Sequence, residues 1–404
     1  MNGESPGKKI RKKFFKNKLA VFGLLVIVLS FFIAIFCYLI MPDHSPMANR
    51  MNLPIGNQPP GFRVEMLLVK KNFIKPSSFL TELFSGREND VDMIPINRYR
   101  FEGNELVYNE FTGDATDAGR EKRIAMVAVV YGDDVKVSVV SSDGSSLNLT
   151  STDGTMIHAT RADLRHEIQQ TNIIVKRFIL GTDRYGRDLL SRLLAGTRVT
   201  VSVGLIAVLI SLFIGISFGA LAGFFRGWVD ETILWLINVV WSIPTLLLVI
   251  AMTLVLGKGF EQVFIAVGFT MWVEVARIVR GQLFSIRELE FIDAGRALGF
   301  RNARIIVKHI LPNIFGPVIV VAASNFSAAV LLEAGLSFLG IGAQPPMPSW
   351  GAMIKENYGY IIIPQSAYLA VLPGLAIMLL AMAFAFVGNG LRDALDSKNQ
   401  VRLT

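Results

Sequence analysis

The sequence predicts an α-helical polytopic membrane protein of about six transmembrane helices with a β-rich domain inserted on its outer side. Three observations predict it. Hydrophobic residues fill 52% of the 404 positions and charged ones only 18%, at a mean hydropathy of +0.48; soluble domains carry nearer ~25% charged residues. Runs at 19–41, 199–225, 232–257 and 366–391 hold no charge, and each is long enough to cross the ~30 Å of a bilayer's hydrocarbon as a helix. Between the first two runs lies a long stretch of short alternating segments and Asp-rich turns, the pattern of strands. The net charge of +8 fits basic cytoplasmic loops better than a nucleic-acid partner.

The N-terminal segment 1–18 carries Lys8, Lys9, Arg11, Lys12, Lys13, Lys16 and Lys18, which places it in the cytoplasm by the positive-inside rule. The first transmembrane helix, 19–41, has the basic start and apolar core of a secretory signal. It is long for one, and Pro42-Asp43-His44 offers no small-residue cleavage site, so it is expected to remain as an anchor. Cys37 is the one cysteine, so the outer domain is expected to fold without disulfides.

Residues 42–180 form the expected extracytoplasmic β-rich insert. RIAMVAVV (123–130), VKVSVV (135–140) and SLNLTST (146–152) read as strands, with turns such as Gly132-Asp133-Asp134 and Ser142-Asp143-Gly144 between them. Residues 42–80 read as loop and linker. His158 and His166, with Asp153, Asp163 and Glu167, have no metal-ligand spacing and read as surface residues.

The membrane core, 181–391, is expected to hold five helices, followed by a cytoplasmic tail at 392–404. Two of its spans are weaker: 259–280 contains Glu261, Glu274 and Arg277, and 314–341 contains Glu333. The implied topology puts 284–313 inside, with Arg287, Arg296, Arg301, Arg304 and Lys308, and 342–365 outside, with only Lys355. Ionisable groups at membrane depth face a cavity or a partner. Glu333 is therefore a candidate for lining a path, while Glu274 is expected to pair with Arg277 along its helix. Asn238 and Pro244 predict a kink beside a polar spot on the same path.

No G-x-x-x-x-G-K-[ST] occurs, so the chain is expected not to hydrolyse ATP itself; no HExxH, CxxC or GxSxG occurs either. The informative segment is EFIDAGRALGFRNARIIVKHILPN (290–313). Ala303, Ile306, Val307, Ile310 and Leu311 fall on one helical face, with Arg301, Arg304 and Lys308 opposite. Phe291, Ala294, Gly295 and Leu298 make a similar stripe before Gly299, which suits a left-handed helix end, and Pro312 is expected to stop the second helix. Two short amphipathic helices about a glycine fit lipid headgroups or a groove on a soluble partner equally well.

The same segment resembles the EAA loop of ATP-binding-cassette importer permeases, E-A-A-x-x-x-G and then, nine residues on, I-x-L-P. Here Asp293-Ala294-Gly295, Gly299 and His309, Leu311 and Pro312 occupy the pattern, with Asp for Glu, Gly for the second Ala and His for Ile. GTDRYGRDLLSR (181–192) and GLSFLGIGAQPPMPSWG (335–351) resemble dipeptide/oligopeptide permeases of the DppC/OppC type. The likeness is loose over 1–41, close over 178–400 and absent over 42–177. It implies a type I importer permease fold and a subunit forming half of a translocation path for di- or oligopeptides. It further implies a homologous second permease subunit as heterodimer partner, two cytoplasmic ATPases that bind the ATP and Mg, and an extracytoplasmic substrate-binding lipoprotein. The chain itself would need no cofactor or metal. The setting implied is the plasma membrane of a bacterium, both termini cytoplasmic. The coupling element would comprise Asp293, Ala294, Gly295, Arg296, Gly299, Arg301, His309, Leu311 and Pro312. Nickel or another small solute is the alternative cargo, and a membrane-anchored extracellular sensor the alternative class.

Overall fold

An amphipathic helix, α1 (Pro6–Lys16), turns at Asn17 into the apolar α2 (Lys18–Ile40). Asn17 Oδ1 accepts from the Leu19 and Ala20 N–H groups, capping α2. The computed structural model describes residues 6–71, 78–113, 119–132, 135–140, 146–151, 156–257 and 259–396. The turn residues Asp133, Asp134 and Ser142-Asp143-Gly144, together with Asp153, lie outside the described residues.

Beyond α2 the chain builds two antiparallel sheets. β1 (Arg63–Lys70) is followed by α3 (Phe79–Ser85), β2 (Val91–Glu102), β3 (Glu105–Glu110), β4 (Glu121–Ala125) and α4 (Met126–Tyr131). β5 (Val135–Val140), β6 (Ser146–Ser151) and β7 (Met156–Thr160) form the smaller sheet, and α5 (Arg161–Glu167) leads to β8 (Ile173–Arg177). The larger sheet runs β4-β3-β2-β1-β8. Two expectations are corrected here. The strand read at 123–130 ends at Ala125, and the rest of that run is the helix α4. Met126, Val127, Val129 and Val130 are all buried, and an apolar run buried on every side has no period by which strand and helix can be told apart. The loop and linker read over 42–80 contains β1, which pairs with both β2 and β8.

These sheets belong to one compact unit, Ile35–Ala195 together with Gly359–Leu369. The distant segment is tied in by Tyr368 Oη, which donates to Gln58 O at 2.8 Å, and by Asn57 Nδ2, which donates to Tyr360 Oη at 3.2 Å.

The second unit comprises the described residues up to Ala34, Gly196–Tyr358 and those from Ala370 onward. Its helices are α6 (Leu189–Phe225), α7 (Gly227–Trp241), α8 (Thr245–Leu256), α9 (Phe260–Ile286), α10 (Glu290–Ala297), α11 (Asn302–Arg304), α12 (Leu311–Leu339), α13 (Trp350–Asn357) and α14 (Tyr368–Leu395). Gly215, Gly219 and Gly223 form a stripe along α6 against α9. A Cβ on Gly219 would lie 2.5 Å from Ala276 O and 2.8 Å from Val279 Cβ. In a bilayer, close backbone approach of this kind drives helix association, because lipid offers no hydrophobic gain between spans.

Among the described residues, α2, α6, α9, α14 and the run Asn302–Leu339 are long and apolar enough to cross a membrane. The charge-free run at 232–257, in which Asn238 and Pro244 predict a kink, falls in α7 and α8, which are bent by 90°. Pro244 stands at the bend as the residue before α8; it has no N–H to continue the helix of α7. α7 and α8 make a sixth span only if the broken pair is taken as one.

Candidate functional site

The loop that closes α9 is built on a backbone motif. α10 ends with Gly299 at φ 75°; its N–H donates to Arg296 O and the Phe300 N–H reaches back to Gly295 O, at 2.9 and 3.1 Å. This is a Schellman turn, which satisfies carbonyls a helix end otherwise leaves bare. Phe300 covers Gly295, where an added Cβ would meet its ring at an ordinary 3.5 Å. Glycine in place of the usual alanine is therefore not demanded by space.

The inner face of the loop is Ile292, Gly295, Ile305, Ile310 and Ile314, buried among residues that include Phe224, Val279 and Leu283. Both expected stripes are thus rotated. Phe291 and Leu298 are exposed, as are Ala294 and Ala303. In the second half the buried residues are Ile305 and Ile310, while Val307 is exposed. For the second half the reason is a π-helix at Ile305–Ile310, where the Leu311 N–H donates to Ile306 O five residues back. A π turn holds more residues than an α turn and shifts the phase of every side chain beyond it. The chain then continues through Pro312 into α12, so Pro312 does not stop the second helix. Its missing N–H falls in the first turn of α12, where proline is tolerated.

Asp293 and Arg296 pair at 3.2 Å on the exposed surface, a contact of little energy. Arg301 is exposed and makes no ion pair among the described residues. His309 stacks on Phe300 with centroids 5.8 Å apart, and the Arg304 guanidinium lies 4.1 Å over the same ring. Leu311 is half-buried against the core. Where α9 gives way to the loop, Arg287 Nη1 donates to Phe224 O, and Arg226 meets Glu288 at 2.7 Å. Burial, with Arg226 and Arg296 nearby, pushes the Arg287 guanidinium below its usual range. Arg280 binds Asp230 through two nitrogens. The loop is thereby bonded to the end of α6 and to Arg226 beyond it, while α9 is bonded to α7.

A second feature lies within the spans. A cavity of about 880 Å³ is lined by α7, α8, α9 and α12, with Trp241, Thr245, Met271, Glu274, Arg277 and Asn325 in its wall. Glu274 is close to the middle of α9, exposed to the cavity, and Arg277 stands one turn away. The expected pair between them is not formed: the Arg277 guanidinium lies 3.4 Å over the Trp241 ring instead. Asn325 Nδ2 donates to Met271 O at 3.3 Å.

Of the residues expected on a path, Pro244 sits at the bend between Trp241 and Thr245. Asn238 is exposed on α7, its carbonyl accepting from the Ser242 N–H. Glu333 is buried beside α13, accepting from Ser337 Oγ at 2.7 Å, and is not part of the cavity wall. Trp241 and Asn325 carried no warning in a one-dimensional reading, although a buried Asn in a span is a signal in its own right.

Broken and continuous spans packed through small residues, with a cavity among them and a capped loop at one end, define a multi-pass membrane protein. The family model of binding-protein-dependent transport system inner membrane components matches residues 215–401, and that of the N-terminal TM domain of oligopeptide transport permease C matches 5–60. The chain is 40% identical over 219 residues to the glutathione transport system permease protein GsiD of Pectobacterium atrosepticum, covering 54% of this chain and 72% of that one. It is 42% identical over 219 residues to the dipeptide transport system permease protein DppC of Alkalihalophilus pseudofirmus, covering 54% and 71%. It is 39% identical over 220 residues to the oligopeptide transport system permease protein OppC of Haemophilus influenzae, covering 54% and 70%. The chain belongs to the inner-membrane components of binding-protein-dependent transport systems, in the peptide ABC permease family. Neither family model reaches 61–214, where both sheets lie.

Proposed function

We propose that this chain is the permease subunit of an ATP-driven importer of di- and oligopeptides in a bacterial plasma membrane, with both termini cytoplasmic. It has no ATPase site of its own. A homologous second permease completes the path, two cytoplasmic ATPases bind ATP and Mg, and an outer lipoprotein delivers the peptide. The observation that carries this reading is the loop 287–314. Its inner face is packed into the base of α6, α9 and α12, while its outer face presents Leu298, Val307, Asp293, Arg296 and Arg301. A groove on an ATPase that grips the outer face moves the spans through the inner one, because packed cores transmit displacement. Asp293, Ala294, Gly295, Arg296, Gly299, Arg301, His309, Leu311 and Pro312 make up this element.

The cavity supports the choice of cargo. A peptide is a zwitterion, and Glu274 and Arg277 present opposite charges on one wall of the cavity, near the middle of α9. Uptake of a labelled dipeptide into cells carrying the assembled transporter tests the reading. Excess unlabelled di- and tripeptides compete; competition by nickel and not by peptides overturns the assignment. Glu274→Gln cuts maximal uptake about tenfold, or ~1.4 kcal/mol in the barrier, with membrane insertion unchanged. Undiminished uptake in that variant removes the cavity from the path.

A further inference from the structure

We infer that α3 is an interfacial anchor, whose apolar face lies in the lipid headgroup boundary where the first span leaves the membrane. The helix reads FLTELFS. Phe79, Leu80, Leu83 and Phe84 fall on one side of it, with Thr81, Glu82 and Ser85 away from that side. Phe79 and Leu80 are each 64% exposed and Phe84 55%. Large apolar groups clustered in so short a segment mark a surface that something covers.

The position of the helix says what covers it. Gly86, which ends α3, lies against the last turns of α2: a Cβ there would be 2.8 Å from His44 O and 2.9 Å from the Tyr38 ring. The next N–H, of Arg87, donates to His44 O at 2.8 Å. Tyr38 is two residues before the end of α2, about 3 Å along its axis. α3 is therefore held at the level where the span exits. On those last turns Ile35, Leu39 and Ile40 are 46–49% exposed, and in a span such residues face acyl chains. The apolar face of α3 continues that lipid-facing surface. Among the described residues, the basic neighbours Arg87 and Lys71 are already engaged, Arg87 with Asp90 at 3.4 Å and Lys71 with Asp92 at 2.7 Å. Attachment thus rests on apolar area, which a zwitterionic membrane supplies as well as an anionic one. The consequence for the sheet domain is a second hold on the membrane surface, separated in sequence from α2.

The test uses the full chain in phosphatidylcholine vesicles. Cys37, the one native thiol, is buried, so cysteines introduced as Leu80→Cys and Phe84→Cys take an environment-sensitive fluorophore. Glu105→Cys, on the charged β2–β3 hairpin, is the control. At 80 and 84, a lipid carrying a nitroxide just below the headgroup quenches at least about twofold more than at 105, since interfacial helices sit only ~5–10 Å deep. Adding anionic lipid leaves the ratio unchanged. Quenching of 80 and 84 by aqueous iodide to the same degree as 105 overturns the anchor. So does protection from both quenchers, the result expected if a partner protein covers this face.

Discussion

Gly299→Pro abolishes peptide uptake while the spans remain inserted. Three losses coincide at this position. Proline holds φ near −65°, whereas Gly299 sits at 75°. Proline also has no N–H to give Arg296 O, which takes one half of the Schellman turn. Finally, it disfavours the conformation of the residue before it, here Leu298 at φ −76°, ψ 0°. The turn opens, Phe300 leaves Gly295, and Leu298 no longer projects where an ATPase groove would meet it. Gly299→Ala is the graded comparison: nothing lies within 4 Å of an added Cβ, so it meets only the left-handed penalty of roughly 1–2 kcal/mol. Transport assays with co-purification of the ATPases read both variants. The alanine variant keeps measurable uptake and the proline variant has none. Wild-type uptake in Gly299→Pro removes the coupling role from this loop.

Asp183→Asn destabilises the sheet-bearing unit by about 3–5 kcal/mol, the loss typical when one partner of a buried ion pair is neutralised. Asp183, Arg187 and Arg192 are each about 1% exposed. Asp183 Oδ2 accepts from Arg187 Nε at 2.6 Å and lies 3.7 Å from Arg192 Nε. Its Oδ1 accepts from the Tyr185 and Arg187 N–H groups. Asparagine keeps an acceptor for those two amides but puts an NH2 donor where Oδ2 accepted from Arg187 Nε, so the charge and that acceptor are both lost and two buried guanidinium groups are left without this anion. The turn they support is laid along 52–58: Asn52 N–H donates to Tyr185 O, Asn57 N–H to Asp183 O, and Thr182 N–H to Gln58 O. Thermal unfolding of the purified chain, with limited proteolysis of 42–180, reads the effect. Asp183→Asn/Arg187→Gln recovers part of the loss, because one fewer buried charge is stranded. An unchanged melting temperature in Asp183→Asn shows that the pair is not what holds this turn.

How much was legible in the sequence depended on whether the signal was local. Charge-free runs announced the spans, since hydrocarbon admits little else for that length. Gly299 announced the helix end, because φ is a property of one residue. The faces of the loop helices were not legible. A π turn at 305–310 adds residues without changing composition, and the buried set became Ile305 and Ile310 where a 3.6-residue period selects Val307 as well. Glu274 and Arg277 have the spacing of an intrahelical pair, yet Trp241, distant in sequence, takes the guanidinium.

By itself, then, the sequence determined that this chain is a multi-pass membrane protein with a capped, amphipathic loop and an inserted β-rich region. Those properties arise from hydropathy, period and single-residue backbone limits. Only the tertiary structure decided that α7 and α8 part by 90°, that β1 lies between β2 and β8, and that residues 359–369 join the sheet unit. It alone separated Glu274 from Arg277 along a cavity wall. Each of these depends on which distant residues compete for the same group or the same space, and that competition exists only once the chain is folded.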